Sequence, residues 1–335
     1  MYHSAIEHRP TAAARTGPRV SVVCSTHGRA ALLPRLVAAL TDQSLPAGSF
    51  ELVVVDDASP DDTAAVLERL AAEAPFAVRI LRHPRNRGAA AGRNTGWRAA
   101  AAPVVAFTDD DCTPTTGWLA AGLSALEAAP GAFVVGRTEP DPAERHLLDR
   151  PFSRSLLVTG ARFHETCNVF YRREDLEAAG GFDEGFGTGE DTDLGLRMIE
   201  SGRVARWEPE ALVHHRVRPP SFRAHWREAR RWADLPLVLK RHPGQRATLL
   251  HRRLFWKRTH PPTLVALVGL AAAAATRSPR PLVLVGWWVW HRLAVEPPCP
   301  GPRRRMAALP GTFVVDATEV ATMVEGSVRH RAVLL

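Results

Sequence analysis

The chain has 335 residues, of which 45% are hydrophobic and 23% charged. These values are typical of a globular protein and exclude an intrinsically disordered one, and the length allows one large domain or a domain with an appendage. The net charge of +8 favours anionic partners, but nucleic acid is not expected among them because the sequence contains no zinc finger and no basic region with heptads.

The first part of the chain alternates strand and helix patterns after an expected flexible tail at residues 1–17. Apolar strand patterns lie at 20–24, 51–55, 78–81 and 103–107. Helix patterns lie at 32–40, from residue 59 onward and at 89–102. This alternation predicts βαβ units in a doubly wound, mainly parallel, Rossmann-like α/β sheet.

The next hundred residues continue the alternation less regularly. Helix patterns lie at 117–129, 173–179 and 191–201, and strand patterns at 132–135, 167–171 and, as a final short strand, 204–207. The polar stretch 140–162 fits neither pattern and is a candidate mobile or acceptor-facing loop. We expect one catalytic domain over residues 18–218.

Residues 219–335 differ in character and are expected to form a basic and apolar helical region. Two apolar runs, 263–276 and 281–290, are shorter than the roughly 18 residues of a spanning helix. They are compatible with a membrane hairpin, an in-plane anchor or the buried helices of a small domain. Basic residues flank both runs and occupy the turn between them, and the second run is rich in Trp, so we favour shallow association with one membrane face.

Three consecutive carboxylates, Asp109, Asp110 and Asp111, follow the strand at 103–107. In a parallel sheet this position is the carboxyl edge, where such folds bind ligands. Adjacent like charges are tolerated most easily around a divalent cation or the N–H groups of a turn. An acidic surface turn that caps a helix explains the cluster equally well when it is considered alone.

Other polar loops are expected at the same sheet edge. Ser25–Arg29 follows the first strand, Asp56-Asp57 ends the second, and a glycine- and arginine-containing segment that includes Arg93 opens the helix after the third. That segment is neither Gly-x-Gly-x-x-Gly nor a Walker A sequence, but glycines and arginines at a helix start suit phosphate groups. Glu190-Asp191 opens a later helix.

Together these segments resemble the catalytic domain of glycosyltransferase family 2, which has the GT-A fold. The resemblance extends from Val20 to about His215 and rests on six segments in order. These are Val20–Val23 with Gly28-Arg29, Val54–Ser59, Asn86–Gly88 with Arg93–Gly96, Phe107–Asp111, Gly180–Glu184 and Gly189–Leu194. It implies an inverting transfer of a sugar from a nucleotide-sugar donor to an acceptor hydroxyl.

The resemblance also implies roles for individual residues on the donor side. It assigns the nucleoside to Ser25, His27 and Asp57, and the Asp-x-Asp motif to Asp109 and Asp111. Asp109 is expected near the ribose and diphosphate, and Asp111 is expected to bind Mg²⁺ or Mn²⁺. The remaining candidates for donor contacts are Arg29, Arg93 and Asp110, the last as a bystander or as a second ribose contact.

The resemblance places the catalytic base at Asp191, which would accept the proton of the acceptor hydroxyl. Its neighbour Glu190 is a candidate for acceptor binding or for fixing the loop, and Trp118 is a candidate for stacking on a sugar or for core packing. His215 is the second predicted metal ligand, in competition with the adjacent His214. His27 replaces an aromatic residue found in some relatives, which leaves the nucleotide base undetermined.

Two other functional classes compete with this interpretation. A non-catalytic protein on the same fold would bind nucleotide sugars without needing Asp191 and the Asp109/Asp111 pair. A nucleotidyltransferase is disfavoured because the usual glycine-rich basic loop near the N-terminus is missing.

The cellular setting is inferred from the cysteines and the N-terminus. The four cysteines form no Cys-x-x-Cys pair, and residues 1–19 contain no apolar core of signal-peptide length. We therefore expect a protein at the cytoplasmic face of the cell membrane, with a nucleotide-sugar donor and a glycan or lipid-linked acceptor as partners. The oligomeric state is not predicted.

Overall fold

A nine-stranded sheet forms the core of the first of two compact units in this computed structural model, which describes residues 5–8 and 17–334. The first unit comprises the described residues up to Pro142 together with Leu156–Gly185 and Glu190–Arg216. The strands are β1 (Ala5–His8), β2 (Val20–Thr26), β3 (Phe50–Asp56), β4 (Ala77–Arg82), β5 (Val104–Thr108), β6 (Cys112–Pro114), β7 (Ala132–Pro140), β8 (Asn168–Arg172) and β9 (Val204–His215).

The spatial order of the strands is β1-β4-β3-β2-β5-β8-β7-β9-β6. Strands β4, β3, β2 and β5 are parallel neighbours, as the alternating pattern predicts, whereas β8 is antiparallel to both β5 and β7. Within the part of the chain that the structure describes, six α-helices flank this sheet. They are α1 (Leu33–Thr41), α2 (Thr63–Glu73), α3 (Ala89–Ala99), α4 (Trp118–Glu127), α5 (Arg173–Ala179) and α6 (Glu190–Glu200).

The central strands are buried on both faces, which explains why they read as continuous apolar runs. Every residue of β3 and of β5 is buried. The parallel register aligns Thr26 at the end of β2 with Asp56 at the end of β3. The loops that follow these strands therefore begin at the same edge of the sheet, and that edge is where the polar candidates were expected.

Three features of the first unit differ from the sequence predictions. The expected flexible tail contains β1, an antiparallel edge strand on β4, although most of the tail lies outside the described residues. The short strand β6, which was not predicted, pairs with the end of β9. The prediction of a short strand at 204–207 was wrong, because β9 continues to His215. A shift in its pairing register with β7 accommodates Pro209 within the strand.

The second compact unit contains Ala143–Ser155, Phe186–Gly189 and the chain from Val217 onward. Its main boundary lies close to the expected one, but it also includes two segments from within the range 18–218. Its helices are α7 (Phe222–Ala229), α8 (Leu235–Arg241), α9 (Arg246–Leu249), α10 (His260–Thr276), α11 (Val283–Trp290) and α12 (Pro302–His330).

The two apolar runs form α10 and α11, which pack against each other, and α10 also packs against α12. Each helix buries only part of its surface. Trp288 is the buried residue of α11, whereas Val283 and Trp290 are 77% and 57% exposed. Over residues 5–8 and 17–334, no helix combines the length and the apolar character needed to cross a bilayer.

Candidate functional site

The acidic turn between β5 and β6 lies beside a histidine from β9. Antiparallel pairing aligns Cys112 with His215, and this brings the Nε2 atom of His215 within 3.5 Å of a carboxylate oxygen of Asp111. The Nδ1 atom of His215 lies 2.8 Å from the carbonyl of Arg216. Donation of the Nδ1 proton to that carbonyl leaves the Nε2 lone pair directed toward Asp111.

This arrangement fits a divalent cation. Candidate ligand atoms of Asp111, Cys112 and His215 lie within 4.8 Å of one another. A carboxylate oxygen and an imidazole nitrogen suit Mn²⁺, and the oxygen also suits Mg²⁺, whereas a thiol is a poor ligand for either ion. Asp111 and His215, the two predicted metal ligands, are therefore brought together by the β6–β9 pairing.

Asp110 is bonded within the protein on both of its carboxylate oxygens. One oxygen accepts a hydrogen bond from the Thr26 hydroxyl at 2.7 Å, and the other accepts from Arg29 at 2.6 Å. The same guanidinium lies 3.1 Å from Asp111. Burial alone would lower the pKa of Arg29, but the carboxylates of Asp110 and Asp111 outweigh it and raise that pKa. Arg29 thus contacts two of the three acidic side chains and offsets part of their negative charge.

Arg93, on α3, connects the acidic turn with the start of α6. Its guanidinium donates to Asp109 at 3.1 Å and to Glu190 at 2.8 Å. The residue is only 9% exposed, and Asp109 and Glu190 keep its pKa raised despite its burial. The guanidinium of Arg93 therefore connects two candidates from distant parts of the sequence, Asp109 and Glu190.

Asp57 organises the loop that precedes α3. Its carboxylate accepts hydrogen bonds from the backbone N–H groups of Arg87 and Gly88 at 2.9 and 2.8 Å, and from the ring of His83 at 2.6 Å. Its backbone carbonyl accepts from Nδ1 of His27 at 2.8 Å. The buried carboxylate of Asp57 thus holds this loop in place. Its direct contact with a nucleoside stays a prediction.

Ser25 and α3 approach each other closely through Gly92. A Cβ atom at position 92 would lie 2.0 Å from the Ser25 hydroxyl oxygen and 2.8 Å from its Cβ atom. Only glycine permits this approach without a shift of either backbone. Gly92 directly precedes Arg93 in the segment expected to suit phosphate groups, but its contact with Ser25 is visible only in the fold.

Asp191, the predicted base, lies in surroundings that oppose its negative charge. Burial, and then the carboxylates of Glu190 and Glu165, raise the pKa of Asp191 to about 8 against the opposing effect of Arg93. One oxygen of Asp191 accepts from the N–H of Thr192 at 2.7 Å. Sequence reasoning missed Glu165, whose own pKa burial raises to about 7.

The expectation that Trp118 binds an acceptor was wrong. The side chain is fully buried, its indole nitrogen donates to Asn168 at 2.8 Å, and its ring lies 5.2 Å from that of Phe170. An indole without exposed surface has no face to offer a sugar, so the packing alternative is correct. Arg93 lies within α3, and the other candidates lie in loops and at element ends of the first unit.

The sequence matches two related protein families. Residues 21–178 match the family described as Glycosyl transferase family 2, and residues 143–294 match Glycosyl transferase family group 2. Together these matches extend over most of the chain.

Curated proteins with similar sequences include two named glycosyltransferases. Pre-mycofactocin glycosyltransferase of Mycobacterium tuberculosis is 32% identical over 254 residues, which cover 69% of this chain and 50% of that protein. Glycosyltransferase AglE of Haloferax volcanii is 27% identical over 210 residues, which cover 61% of this chain and 69% of that protein. The chain thus spans half the length of the first of these relatives.

Solved structures with a similar fold include a mannosyltransferase and a protein named TarS. The mannosyltransferase PcManGT from Pyrobaculum calidifontis, in complex with GDP-Man and Mn²⁺, superposes with a TM-score of 0.58 and 21% identity over 97% of this chain and 89% of its own. S. aureus TarS 1-349, in complex with UDP, gives a TM-score of 0.50 and 16% identity over 93% of this chain and 92% of its own. The predicted GT-A fold is confirmed at this level of similarity.

Proposed function

Because the chain belongs to glycosyl transferase family 2, we propose that it transfers a sugar, with inversion, from a nucleoside diphosphate sugar to an acceptor hydroxyl. One observation carries the proposal. Arg93 joins Asp109 of the acidic turn to Glu190, the neighbour of Asp191, so the predicted donor side and the predicted base are linked through a single guanidinium.

On the donor side, the proposal assigns the diphosphate to Asp109 and Arg93 and the nucleoside to Ser25, His27 and Asp57. Asp110 is proposed to act through Arg29, since both of its oxygens already accept hydrogen bonds. A guanidinium near the diphosphate stabilises negative charge that grows as the bond from the anomeric carbon to the phosphate oxygen breaks. Release of that oxygen with its electron pair gives a nucleoside diphosphate.

The donor assignment is tested by thermal unfolding with a panel of nucleoside diphosphates and nucleotide sugars, with and without Mn²⁺. Ligand at about 100 times its dissociation constant should stabilise the protein by about 2.7 kcal/mol. Stabilisation by one nucleotide series that requires the cation supports the assignment. If no member of the panel stabilises the protein, the donor assignment is contradicted.

The cation is proposed to be Mg²⁺ or Mn²⁺, held by Asp111 and His215. A divalent cation supplies positive charge that neutralises a leaving diphosphate. Titration of Mn²⁺ followed by electron paramagnetic resonance should give dissociation constants raised roughly tenfold or more in Asp111→Asn and His215→Ala. Cys112→Ser and the exposed-site control Asp42→Asn should bind Mn²⁺ as the unaltered protein does. Equal affinity in all variants would overturn the assignment.

Asp191 is proposed as the base that accepts the acceptor proton while the acceptor oxygen forms its bond to the anomeric carbon. A raised pKa favours this role because the base must hold the proton it receives near neutral pH. Asp191→Asn should lower transfer roughly 10²–10⁴-fold with little change in donor binding. Unchanged transfer would remove Asp191 from this role, and donor binding without transfer in the unaltered protein would favour a non-catalytic binder.

The acceptor is proposed to be a glycan or lipid-linked molecule of the cell envelope, with Glu190 on the acceptor side. The enzyme is proposed to act at the cytoplasmic membrane face. Support comes from the apolar residues exposed on α10 and α11 and from Arg277 and Arg280, which lie between these helices in the sequence. Helices of this composition suit the boundary between water and lipid.

A further inference from the structure

The second unit contains a cleft with a positive charge that is not explained by sugar transfer. Its cavity has a volume of about 260 Å³ and is lined by four arginines, Arg154, Arg218, Arg227 and Arg231. We call these four residues and the cavity between them the arginine cleft. Glu228 is the only carboxylate among the residues that line it.

Two of the four arginines are held side by side by the backbone. Arg154 and Arg218 form an isolated antiparallel bridge, with reciprocal N–H to carbonyl distances of 3.4 and 2.8 Å. Like charges directly opposite each other in such a pair are destabilising. The fold therefore keeps an unfavourable pairing at this position, and a bound anion would relieve it.

The one carboxylate of the cleft does not balance its positive charge. A single oxygen of Glu228 contacts both Arg154 and Arg218, the latter at 2.9 Å. Arg227 and Arg231 add two further cations at the exposed side. Burial, and then the neighbouring Arg218, lower the pKa of Arg154 to about 10 against the opposing effect of Glu319.

The start of α7 adds positive potential to the same cavity. Ser221 is the N-cap of this helix, its hydroxyl accepts from the N–H of Ala224, and both residues line the cleft. The N-terminal end of a helix carries partial positive charge and favours anions. Guanidinium groups and a helix start thus converge on one cavity from different segments of the second unit.

We propose that the arginine cleft binds a phosphate or diphosphate group of a ligand other than the sugar donor. Planar guanidinium groups bind phosphate oxygens in bidentate fashion, and several of them around one cavity attract an anion with more than one negative charge most strongly. The same chemistry is offered by a soluble phosphorylated molecule and by the headgroup of an anionic lipid. The proposal goes beyond sugar transfer and does not depend on it.

The first experiment measures binding of inorganic phosphate and pyrophosphate by calorimetry at constant ionic strength. EDTA is present so that no cation supports binding at the acidic turn. The double variant Arg227→Gln/Arg231→Gln removes two exposed charges and should fold normally. Its affinity should fall roughly tenfold or more, as expected for the loss of hydrogen bonds to a charged group.

Two further variants separate a built site from general attraction to a basic protein. Arg223→Gln removes an exposed arginine of α7 that does not line the cleft, so it should bind as the unaltered protein does. Glu228→Gln removes the competing carboxylate and should bind phosphate more tightly. No binding by the unaltered protein, or equal losses in Arg223→Gln and the double variant, would overturn the proposal.

A second experiment distinguishes the two sources of the phosphate. Co-sedimentation is measured with vesicles of phosphatidylglycerol in phosphatidylcholine and with phosphatidylcholine alone. If the double variant loses binding to anionic vesicles, while Arg223→Gln retains it, the ligand is a lipid headgroup. If the double variant loses only soluble phosphate, the ligand is a soluble phosphorylated molecule. If it loses neither, the proposal is wrong.

Discussion

The carboxylate of Asp191 is held where its negative charge is disfavoured. Burial, Glu190 and Glu165 raise its pKa, and Arg93 opposes them only partly. Such surroundings cost stability whenever the group is ionised. A residue with a purely structural role has no need of this cost, whereas a base must accept a proton near neutral pH.

Replacement of Asp191 by Asn should therefore stabilise the protein, increasingly as the pH rises. In the folded protein the pKa is about 8, above the value of about 3.8 expected when unfolded. The stability that protonated Asp191 contributes is fully present below the pKa of the unfolded state. It is lost as the pH rises through the pKa of the folded state. Asp191→Asn should thus gain on the order of 5 kcal/mol near pH 8 and little near pH 4.

Thermal unfolding of both proteins at a series of pH values measures this difference. Asp42→Asn, which removes an exposed carboxylate, controls for the change in net charge. A stability difference between Asp191→Asn and the unaltered protein that does not vary between pH 4 and pH 8 would contradict the raised pKa.

The contact of Gly92 with Ser25 gives a prediction about donor binding. Gly92→Ala places a methyl group against Ser25, so Ser25 must move. Overpacking of this kind costs about 1–3 kcal/mol, and donor affinity should fall because Ser25 leaves its position. Thermal unfolding and calorimetric titration of the donor measure the two effects.

Two further variants test the cause of this effect. Gly286→Ala, in α11, meets no atom within 4 Å and should leave the stability unchanged or slightly higher. Addition of Ser25→Gly to Gly92→Ala should restore stability but not donor affinity. If Gly92→Ala alone binds donor normally, Ser25 has no part in the donor site.

Candidate site residues could be predicted from the sequence where a motif fixes the residue type at a strand end. Asp111 and His215 were predicted as metal ligands in this way, and the β6–β9 pairing places them next to each other. The contact of Arg93 with Glu190 and the influence of Glu165 on Asp191 could not be predicted. They join distant parts of the chain, and only the packing of α3, α6 and the loop before β8 determines which side chains meet.

At the scale of elements, α6 is fixed to the loop after α5 by one arginine. Arg197 donates to Asp193, one turn earlier on α6, and to the carbonyls of Ala179 and Gly181 at 2.5 and 2.7 Å. The side chain of Asp193 is fully buried. This anchoring holds the helix whose first turn carries Glu190 and Asp191.

Arg197→Met should destabilise the protein by about 3 kcal/mol, because it removes the cation that compensates a buried carboxylate. The control is Glu325→Gln, which breaks the exposed pair with Arg329 at the same spacing on α12. Exposed pairs contribute less than about 1 kcal/mol. Denaturant unfolding measures both losses, and similar values for the two variants would show that burial of Asp193 does not matter.

The strand and helix alternation could be predicted for the first unit because its central strands are short apolar runs between helices with one apolar face. The strand β6 could not be predicted, since its three residues are too few for a pattern and its partner lies about a hundred residues later. The continuation of β9 was missed for a different reason. Pro209 interrupts the apolar pattern and is accommodated only through a register shift opposite β7.

At the scale of the whole molecule, the second unit exposes many more large apolar side chains than the first unit does among the described residues. Its helices α10 and α11 present Val268, Val283, Trp287 and Trp290 to solvent, and these side chains are between 40% and 77% exposed. Tryptophan is enriched at membrane–water interfaces, and nearby arginines favour anionic lipid. These properties support association of the proposed enzyme with a membrane face.

The double variant Trp287→Gln/Trp290→Gln should therefore lose binding to vesicles of phosphatidylglycerol and phosphatidylcholine. We expect a loss of roughly tenfold or more, since each buried aromatic side chain contributes more than 1 kcal/mol. Co-sedimentation measures it, and Val204→Gln, which removes an exposed apolar residue of the first unit, is the control. Equal vesicle binding by the double variant and the unaltered protein would refute α11 as the anchor. The result bears on the acceptor, because an enzyme held at a membrane through α11 meets lipid-linked acceptors at high local concentration.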